Sequence, residues 1–181
     1  MLWLSPSLVQ QIIAHAHQDI PYEACGLLVG NAQQVTHAIP IANVAHNPEH
    51  HYILDPHALS HHLPHIVKNG QTLIGFYHSH PSGKPIPSPT DIKEAHYPDS
   101  VYLIIGLAAK HPEIAAWRIN ELQVDTVNLH ISDTSPEFIA ISDTPELSIA
   151  QRSAILLSAL FAALMVITLS LALLPAPPPL P

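Results

Sequence analysis

Two histidines that flank a single serine, with an aspartate further along, constrain how this chain can fold. They lie in the stretch 76–95, which reads FYHSHPSGKPIPSPTDIKEA. Alternate side chains of a strand point to the same face, so a strand over 71–80 brings the imidazoles of His78 and His80 to one side. The prolines and the glycine that follow predict a stiff, irregular loop of fixed shape.

The residues after that loop predict the start of a helix that faces the strand end. Ser88 suits the N-cap position, Pro89 the first helical position and Asp91 the first turn, with its carboxylate directed back towards the strand. Two neutral imidazoles and one carboxylate would hold one divalent metal ion and leave a fourth position for water. Such open coordination is typical of a catalytic zinc site, whereas a structural site uses four protein ligands.

The spacing of these residues resembles the JAMM motif of the MPN-domain (JAB1/MPN/Mov34) metallopeptidases, in the form of a small prokaryotic-type member. His78-Ser79-His80 is followed by seven residues, Ser88, two further residues and Asp91. The family also has a glutamate just before its first strand, and PYEACGLLVG at 21–30 fits that element with Glu23. A single HxH is a weak signal, but the joint pattern is specific. The resemblance covers residues 1–130.

The resemblance implies an α/β structure with the MPN (JAB1/Mov34) fold, a mixed β-sheet flanked by helices. It implies Zn2+ as the cofactor, with His78, His80 and Asp91 as the metal ligands and Glu23 and Ser88 as catalytic residues. Glu23 would take a proton from water activated by the zinc, and the Ser88 hydroxyl would help to stabilise the oxyanion. The expected reaction is hydrolysis of a peptide or isopeptide bond, as in a deubiquitinase, after the C-terminal Gly-Gly of a ubiquitin-like or sulfur-carrier protein.

Composition limits the class of partner. The chain has 181 residues, of which 48% are hydrophobic, enough for one domain with a sizeable core and a tail. Its formal net charge of −8 would repel phosphate backbones, so no nucleic-acid partner is expected. A single cysteine cannot form an internal disulfide, and the N-terminal residues lack the pattern of a secretory signal. We therefore expect the globular part in the cytoplasm.

Hydrophobic periodicity predicts the elements around the motif. Apolar residues at helical spacing after Ser5 predict a helix that ends near Asp19. A second helix should begin at Asp55, and Pro64 is expected to shorten or kink it. Further strands are predicted at 25–30, 35–41, 51–54, 101–107, 114–119 and 122–129.

The C-terminal part of the sequence predicts a linker and a membrane anchor. Residues 131–153 contain a tandem repeat, ISDTSPEFIA then ISDTPELSIA, and are predicted to form an acidic linker, with extra edge strands as the alternative. Residues 154–174 carry no charge and would span about 30 Å as a transmembrane helix, with a core or dimer-interface helix as the alternative. A Pro-rich tail, 175–181, follows. Because Arg152 precedes the span, we expect a single-pass tail anchor with the catalytic domain in the cytoplasm.

Other conspicuous residues have simpler interpretations. Seven histidines lie between His46 and His65, and the pairs His57/His61 and His61/His65 have the i,i+4 spacing of metal ligands. Solvated surface histidines are the simpler interpretation of this segment. Cys25 could act as a nucleophile, but its position in an apolar strand favours a buried, inert thiol.

Two other classes of function remain open at this point. A non-catalytic MPN scaffold would share the fold without turnover. A RadC-like DNA-repair-associated protein has a similar HxHPSG loop. The acidic balance and Ser79 between the two histidines favour the peptidase.

Overall fold

The computed structural model describes residues 1–120 and 123–133, and these contain eight strands and three helices. In chain order the elements are β1 (Leu2–Leu4), α1 (Pro6–Gln18), β2 (Cys25–Asn31), β3 (Gln34–Ile41), α2 (Pro56–Lys68), β4 (Thr72–His80), α3 (Pro89–Lys93), β5 (Val101–Gly106), β6 (Glu113–Ile119), β7 (Val124–Val127) and β8 (Leu129–Ile131).

All eight described strands belong to one mixed sheet in the order β7-β6-β5-β4-β2-β3-β1-β8. The strand β4 lies inside the sheet, antiparallel to β2 and parallel to β5. At one edge, β1 pairs in parallel with both β3 and β8. The predicted arrangement, a mixed sheet flanked by helices, is confirmed.

The helix α1 covers one face of the sheet. The side chain of Ser5 caps it by accepting the Leu8 N–H at 3.2 Å. Leu8, Ile12 and Ala16 lie at helical spacing and are buried in a cluster that includes Tyr77 of β4. Burial of each leucine or isoleucine contributes about 1.5–3 kcal/mol, so this stripe fixes the helix on the sheet.

The helix α2 contributes to the core on the opposite face. Its buried Ile66 packs in a second cluster with Leu27, Phe76 and Tyr102. Because side chains alternate along a strand, the residues of β4 two and four positions after Phe76 point to this same face. Those residues are the two histidines of the motif, so the candidate site lies on the α2 side of the sheet.

Two of the predicted elements are corrected by the structure. The segment 51–54 is not a strand. Only Leu54 forms an isolated bridge, to Asn43, and the Asn43 side chain bonds the His51 carbonyl and the Ile53 N–H, while the Ile53 carbonyl accepts the Val44 N–H. Pro64 does not shorten α2, which is continuous from Pro56 to Lys68. Pro64 and Ser60 are both exposed, so the carbonyl that loses its helical hydrogen bond at the proline faces solvent. Strands β1 and β8 are elements that the sequence analysis did not predict.

The predicted linker and membrane anchor fall mainly beyond the part of the chain that the structure describes. The strand β8 extends to Ile131, and the Ser132 N–H donates to the Leu4 carbonyl at 3.1 Å. Residues 134–153 of the linker, the apolar segment 154–174 and the tail 175–181 lie outside the described residues. Within 1–120 and 123–133, no helix combines the length and apolar character needed to cross a membrane.

Candidate functional site

The two motif histidines lie at the C-terminal end of β4. His78 pairs with Cys25 of β2 and with Ile104 of β5, so it sits between two strands and its side chain is only 1% exposed. His80 is the last residue of β4, and its side chain is 11% exposed. Between them, Ser79 points to the other face, where its hydroxyl accepts the Ala24 N–H at 2.9 Å. The strand therefore delivers two imidazoles to one point, as predicted.

The loop after β4 is held against the sheet by contacts that the sequence analysis did not anticipate. Trp117 Nε1 donates to the Pro85 carbonyl at 2.9 Å. Pro85 also packs so closely on Gly106 that a Cβ there would lie 2.6 Å from the proline ring, which explains the glycine. The loop then returns to the strand end, where His80 Nδ1 lies 2.8 Å from the Lys84 carbonyl. That contact assigns the proton to Nδ1 and leaves Nε2 free to bind a metal.

Asp91 is positioned by the start of α3. The Ser88 side chain accepts the Asp91 N–H at 3.1 Å, and the Ser88 N–H donates to Asp91 Oδ2 at 2.6 Å. This reciprocal capping box confirms the predicted helix start at Ser88. It also fixes the carboxylate, whose side chain is 7% exposed, towards the end of β4.

The side-chain atoms of His78, His80 and Asp91 converge with the spacing of metal ligands. The two Nε2 atoms are 3.1 Å apart. His78 Nε2 is 3.5 Å from Asp91 Oδ1, and His80 Nε2 is 3.3 Å from Asp91 Oδ2. A tetrahedral zinc with bonds of about 2.0–2.1 Å separates its ligand atoms by about 3.3–3.4 Å. The three residues therefore fit one such ion. Among the described residues, no other group of three or more His, Cys, Asp or Glu side chains is arranged so that it could hold a metal.

Burial and hydrogen bonding set the charges in this cluster. Burial alone would raise the pKa of Asp91, but hydrogen bonds with both histidines and from the Ser88 N–H outweigh it, so the pKa lies well below its usual range. Burial lowers the pKa of His78 and keeps its imidazole neutral. For His80 burial also acts to lower the pKa, but its contacts with Asp91 and the Lys84 carbonyl raise it overall. Zinc binds ionised carboxylate and neutral imidazole, so Asp91 and His78 are already in their metal-binding forms, and His80 would release a proton when it binds the metal.

Glu23 lies immediately before β2 and is 5% exposed. Its N–H donates to the Pro48 carbonyl at 2.7 Å, and its own carbonyl accepts from Asn43 Nδ2 at 2.9 Å. Its Oε2 has no hydrogen-bond partner in the part of the chain that the structure describes. Desolvation by burial raises the pKa of Glu23 to about 7, although the charge of His80 opposes that rise. A carboxyl with this pKa can exchange a proton near neutral pH.

Three of the five residues predicted from the motif share one cleft. Glu23, His80 and Ser88 line a cleft of about 230 Å³, together with Glu49, His50 and the first residues of the loop. Asp91 lines a neighbouring groove of about 300 Å³, which is mainly apolar and is bounded by Tyr52, Leu59, Phe76, Tyr97 and Tyr102 among others. The structure thus brings together all five predicted site residues, with space on both sides of the candidate metal position.

Two residues outside the motif support this site and were missed in the sequence. Tyr52 stacks on His78 with ring centroids 4.3 Å apart and 20° between the ring planes. The Asn43 side chain links the Glu23 carbonyl to the segment that carries Tyr52. An aromatic residue within a histidine-rich stretch was the available signal for Tyr52. Asn43 carried no signal, because its partners are distant in sequence.

The alternative candidates were the histidine pairs of α2 and Cys25, which lies on β2 directly beside His78. His61 and His65 lie next to each other on α2, with ring centroids 5.0 Å apart and the ring planes tilted by 46°, and both are exposed. The Cys25 thiol is buried and donates to the Ile41 carbonyl at 3.4 Å. Burial raises the pKa of this thiol to about 12, so it stays protonated and cannot serve as a nucleophile at neutral pH.

Comparisons with known proteins agree with the motif. The family model described as prokaryotic homologs of the JAB domain matches residues 5–120. A Haloferax volcanii protein named desampylase is 42% identical over 109 residues, which cover 57% of this chain and 78% of that protein. The probable TtuB-protein conjugate cleaving protease of Thermus thermophilus is 38% identical over 106 residues, 59% of this chain and 70% of that protein.

More distant similarity extends to another named peptidase and to solved structures. The CysO-cysteine peptidase of Mycobacterium tuberculosis is 31% identical over 122 residues, 66% of this chain and 83% of that protein. A solution structure of a Desulfitobacterium hafniense protein aligns with a TM-score of 0.69 and 31% identity, over 76% of this chain and 97% of that chain. A JAB1/MPN domain protein from Archaeoglobus fulgidus shares the fold, with a TM-score of 0.50 and 18% identity over 72% and 96% of the two chains. Motif, fold and relatives agree: this chain belongs to the prokaryotic JAB-domain branch of the MPN family.

Proposed function

We propose that this protein is a JAMM-type zinc metallopeptidase. The observation that supports it most strongly is the convergence of four side-chain atoms of His78, His80 and Asp91, with distances of 3.1–3.5 Å between the residues, beside a buried glutamate that shares a cleft with His80. A structural zinc site would have a fourth protein ligand. In this group a fourth position is left for water, and Glu23 is the neighbouring carboxyl with a pKa near neutrality.

Each side chain has a distinct task in this proposal. When bound, the metal would lower the pKa of a water molecule and polarise the substrate carbonyl. Glu23 accepts the proton of the attacking water and delivers it to the leaving nitrogen. The Ser88 oxygen accepts from the Asp91 N–H, so its hydroxyl hydrogen can point into the cleft and donate to the developing oxyanion.

We propose that the substrate is a ubiquitin-like or sulfur-carrier protein, cleaved after its C-terminal Gly-Gly. The names of two relatives, a TtuB-protein conjugate cleaving protease and a CysO-cysteine peptidase, support a bond to a protein as the target. Glycine residues, which lack a side chain, would let the substrate backbone come close to His78 and Asp91, which are almost fully buried. The apolar groove beside Asp91 has room for one larger side chain upstream of them.

The test is cleavage of a ubiquitin-like protein that is extended beyond its Gly-Gly by a short peptide. Full-length protein loaded with zinc should release the extension, and a chelator should abolish release until zinc is restored. A matched substrate ending in Ala-Ala should be cleaved more slowly. Protein that binds zinc but cleaves none of these substrates would favour the non-catalytic scaffold instead.

We also propose that 154–174 anchors the protein to a membrane with its catalytic domain in the cytoplasm. Support comes from the sequence alone, since these 21 residues contain no charged side chain. Full-length protein should then sediment with membranes and be released by detergent but not by high salt. Recovery in the soluble fraction without detergent would contradict the anchor.

A further inference from the structure

One of the three proposed metal ligands lacks the usual support for its orientation. His78 Nε2 faces His80 and Asp91, whereas His78 Nδ1 is buried and has no hydrogen-bond partner within the described ranges. Metal-binding histidines are usually oriented by a hydrogen bond from the second ring nitrogen. His80 follows that rule through its contact with the Lys84 carbonyl, 2.8 Å away. Something else must therefore fix the plane of the His78 ring.

The stacked ring of Tyr52 meets this requirement. The torsion that rotates an imidazole about its Cβ–Cγ bond has broad minima, so an unbonded ring can turn at little cost. A nearly parallel aromatic ring 4.3 Å away opposes that rotation, since turning His78 would drive its edge into Tyr52. As a result, the stacking fixes the position of His78 Nε2 and the direction of its lone pair towards the candidate metal position.

Tyr52 is itself held on both sides along the chain. Asn43 Nδ2 donates to the His51 carbonyl at 3.0 Å, and Asn43 Oδ1 accepts the Ile53 N–H at 3.1 Å. The His51 side chain also contacts Glu94, just after α3, with 2.7 Å between Nε2 and Oε2. The position of the ring is thus fixed by the surrounding structure and does not depend on His78 alone.

We propose that Tyr52 is a positioning residue of the metal centre, which orients His78 by ring stacking in place of a hydrogen bond. The inference rests on the proposed function, because it requires His78 to be a metal ligand. It assigns the effect to the aromatic ring and not to the hydroxyl group. Loss of the ring should therefore weaken metal binding even when no substrate is present.

The experiment measures zinc affinity of full-length protein by competition with a chromogenic chelator. Tyr52→Leu should raise the zinc Kd by about 10–100-fold, the range for lost support of a ligand. Tyr52→Phe keeps the ring and should stay within about threefold of the wild type. The matched control is Tyr97→Leu. Tyr97 lines the same groove, and its ring packs on Phe76 with ring centroids 5.0 Å apart.

A spectrum separates orientation from general damage. The visible absorption of protein loaded with Co2+ should change in Tyr52→Leu and be restored in Tyr52→Phe, while Tyr97→Leu matches the wild type. Thermal unfolding of the metal-free variants checks that each is folded. If Tyr52→Leu does not fold, Tyr52→Met replaces it as the variant that lacks the ring. Equal zinc affinity of wild type and the ring-loss variants would refute the role of Tyr52. A wild type that binds no zinc would instead refute the proposed metal centre, and this inference with it.

Discussion

The candidate site has two halves that are built in different ways. The ligand half consists of His78, His80 and Asp91, which lie within 14 residues of one another on β4, one loop and α3. The base half consists of Glu23, Asn43 and Tyr52, which come from separate stretches of the chain. The Asn43 side chain joins them, because it bonds the Glu23 carbonyl and the backbone on both sides of Tyr52. Local spacing brings the ligands of the first half together, and long-range contacts assemble the second half, whose Tyr52 also stacks on His78.

The halves also differ in how their polar groups are satisfied. In the ligand half, Asp91 accepts from the Ser88 N–H and contacts both histidines, and its pKa is lowered. In the base half, Glu23 is buried with an oxygen that has no partner among the described residues, and its pKa is raised. A carboxyl that acts as a general base near neutral pH needs such a raised pKa. The free-energy cost of burying an ionised carboxylate therefore falls on the half that would move the proton.

The largest expected effect comes from breaking the ligand half. His80→Ala leaves two protein ligands, which hold zinc poorly, so zinc affinity should fall by more than about 100-fold and activity should be lost. Zinc content after dialysis measures this directly. His62→Ala on α2 is the matched control and should keep its metal. Full stoichiometric zinc in the His80 variant would show that the ligand half is wrongly assigned.

Breaking the base half should leave the metal in place. Glu23→Gln is nearly isosteric but cannot accept a proton, so turnover should fall by about 10²–10⁴-fold with unchanged zinc content. Together the two variants separate binding from chemistry, as the comparison requires. Turnover of Glu23→Gln at the wild-type rate would rule out Glu23 as the general base.

The same division explains what could be predicted from the sequence. The helix start at Ser88 and the strand bearing His78 and His80 depend on neighbours in the chain, and both predictions were confirmed. The roles that the motif implies for Glu23 and Ser88 stay predictions. The position of Glu23 beside His80 came from the family resemblance, since no local pattern relates residues so far apart.

One error of prediction falls where a side chain replaces part of the backbone pairing. The segment 51–54 has the composition of a strand and keeps one isolated bridge, between Leu54 and Asn43, but the Asn43 amide bonds the His51 carbonyl and the Ile53 N–H, which a longer strand pair would otherwise bond. Hydrophobic pattern cannot reveal such a substitution, because the partner is one polar residue. Tyr52 was missed for the same reason: it acts from an irregular segment that was interpreted as part of the sheet.

The pH dependence of folding offers the finest test of the difference between the halves. Folding raises the pKa of Glu23 from 4.5 to about 7, so between these values the folded state binds more protons than the unfolded state. The contribution of Glu23 to the free energy of unfolding of metal-free protein should therefore decrease by about 3 kcal/mol as pH rises through this window. The contribution is unfavourable above pH 7 and absent below pH 4.5.

Glu23→Gln should remove this dependence, because glutamine stays neutral at every pH. Relative to wild type, the variant should gain about 3 kcal/mol of stability between pH 4.5 and pH 8, as measured by urea unfolding in the presence of chelator. Taking the difference between two pH values cancels any pH-independent effect of the amide.

Glu49→Gln, in the same cleft, is the matched control and should follow the wild type. Added zinc should reduce the stability that the wild type loses relative to Glu23→Gln as pH rises, since a nearby cation favours the ionised carboxylate. A constant difference between Glu23→Gln and wild type across this range would mean that Glu23 ionises freely in the folded protein and that the base half carries no penalty.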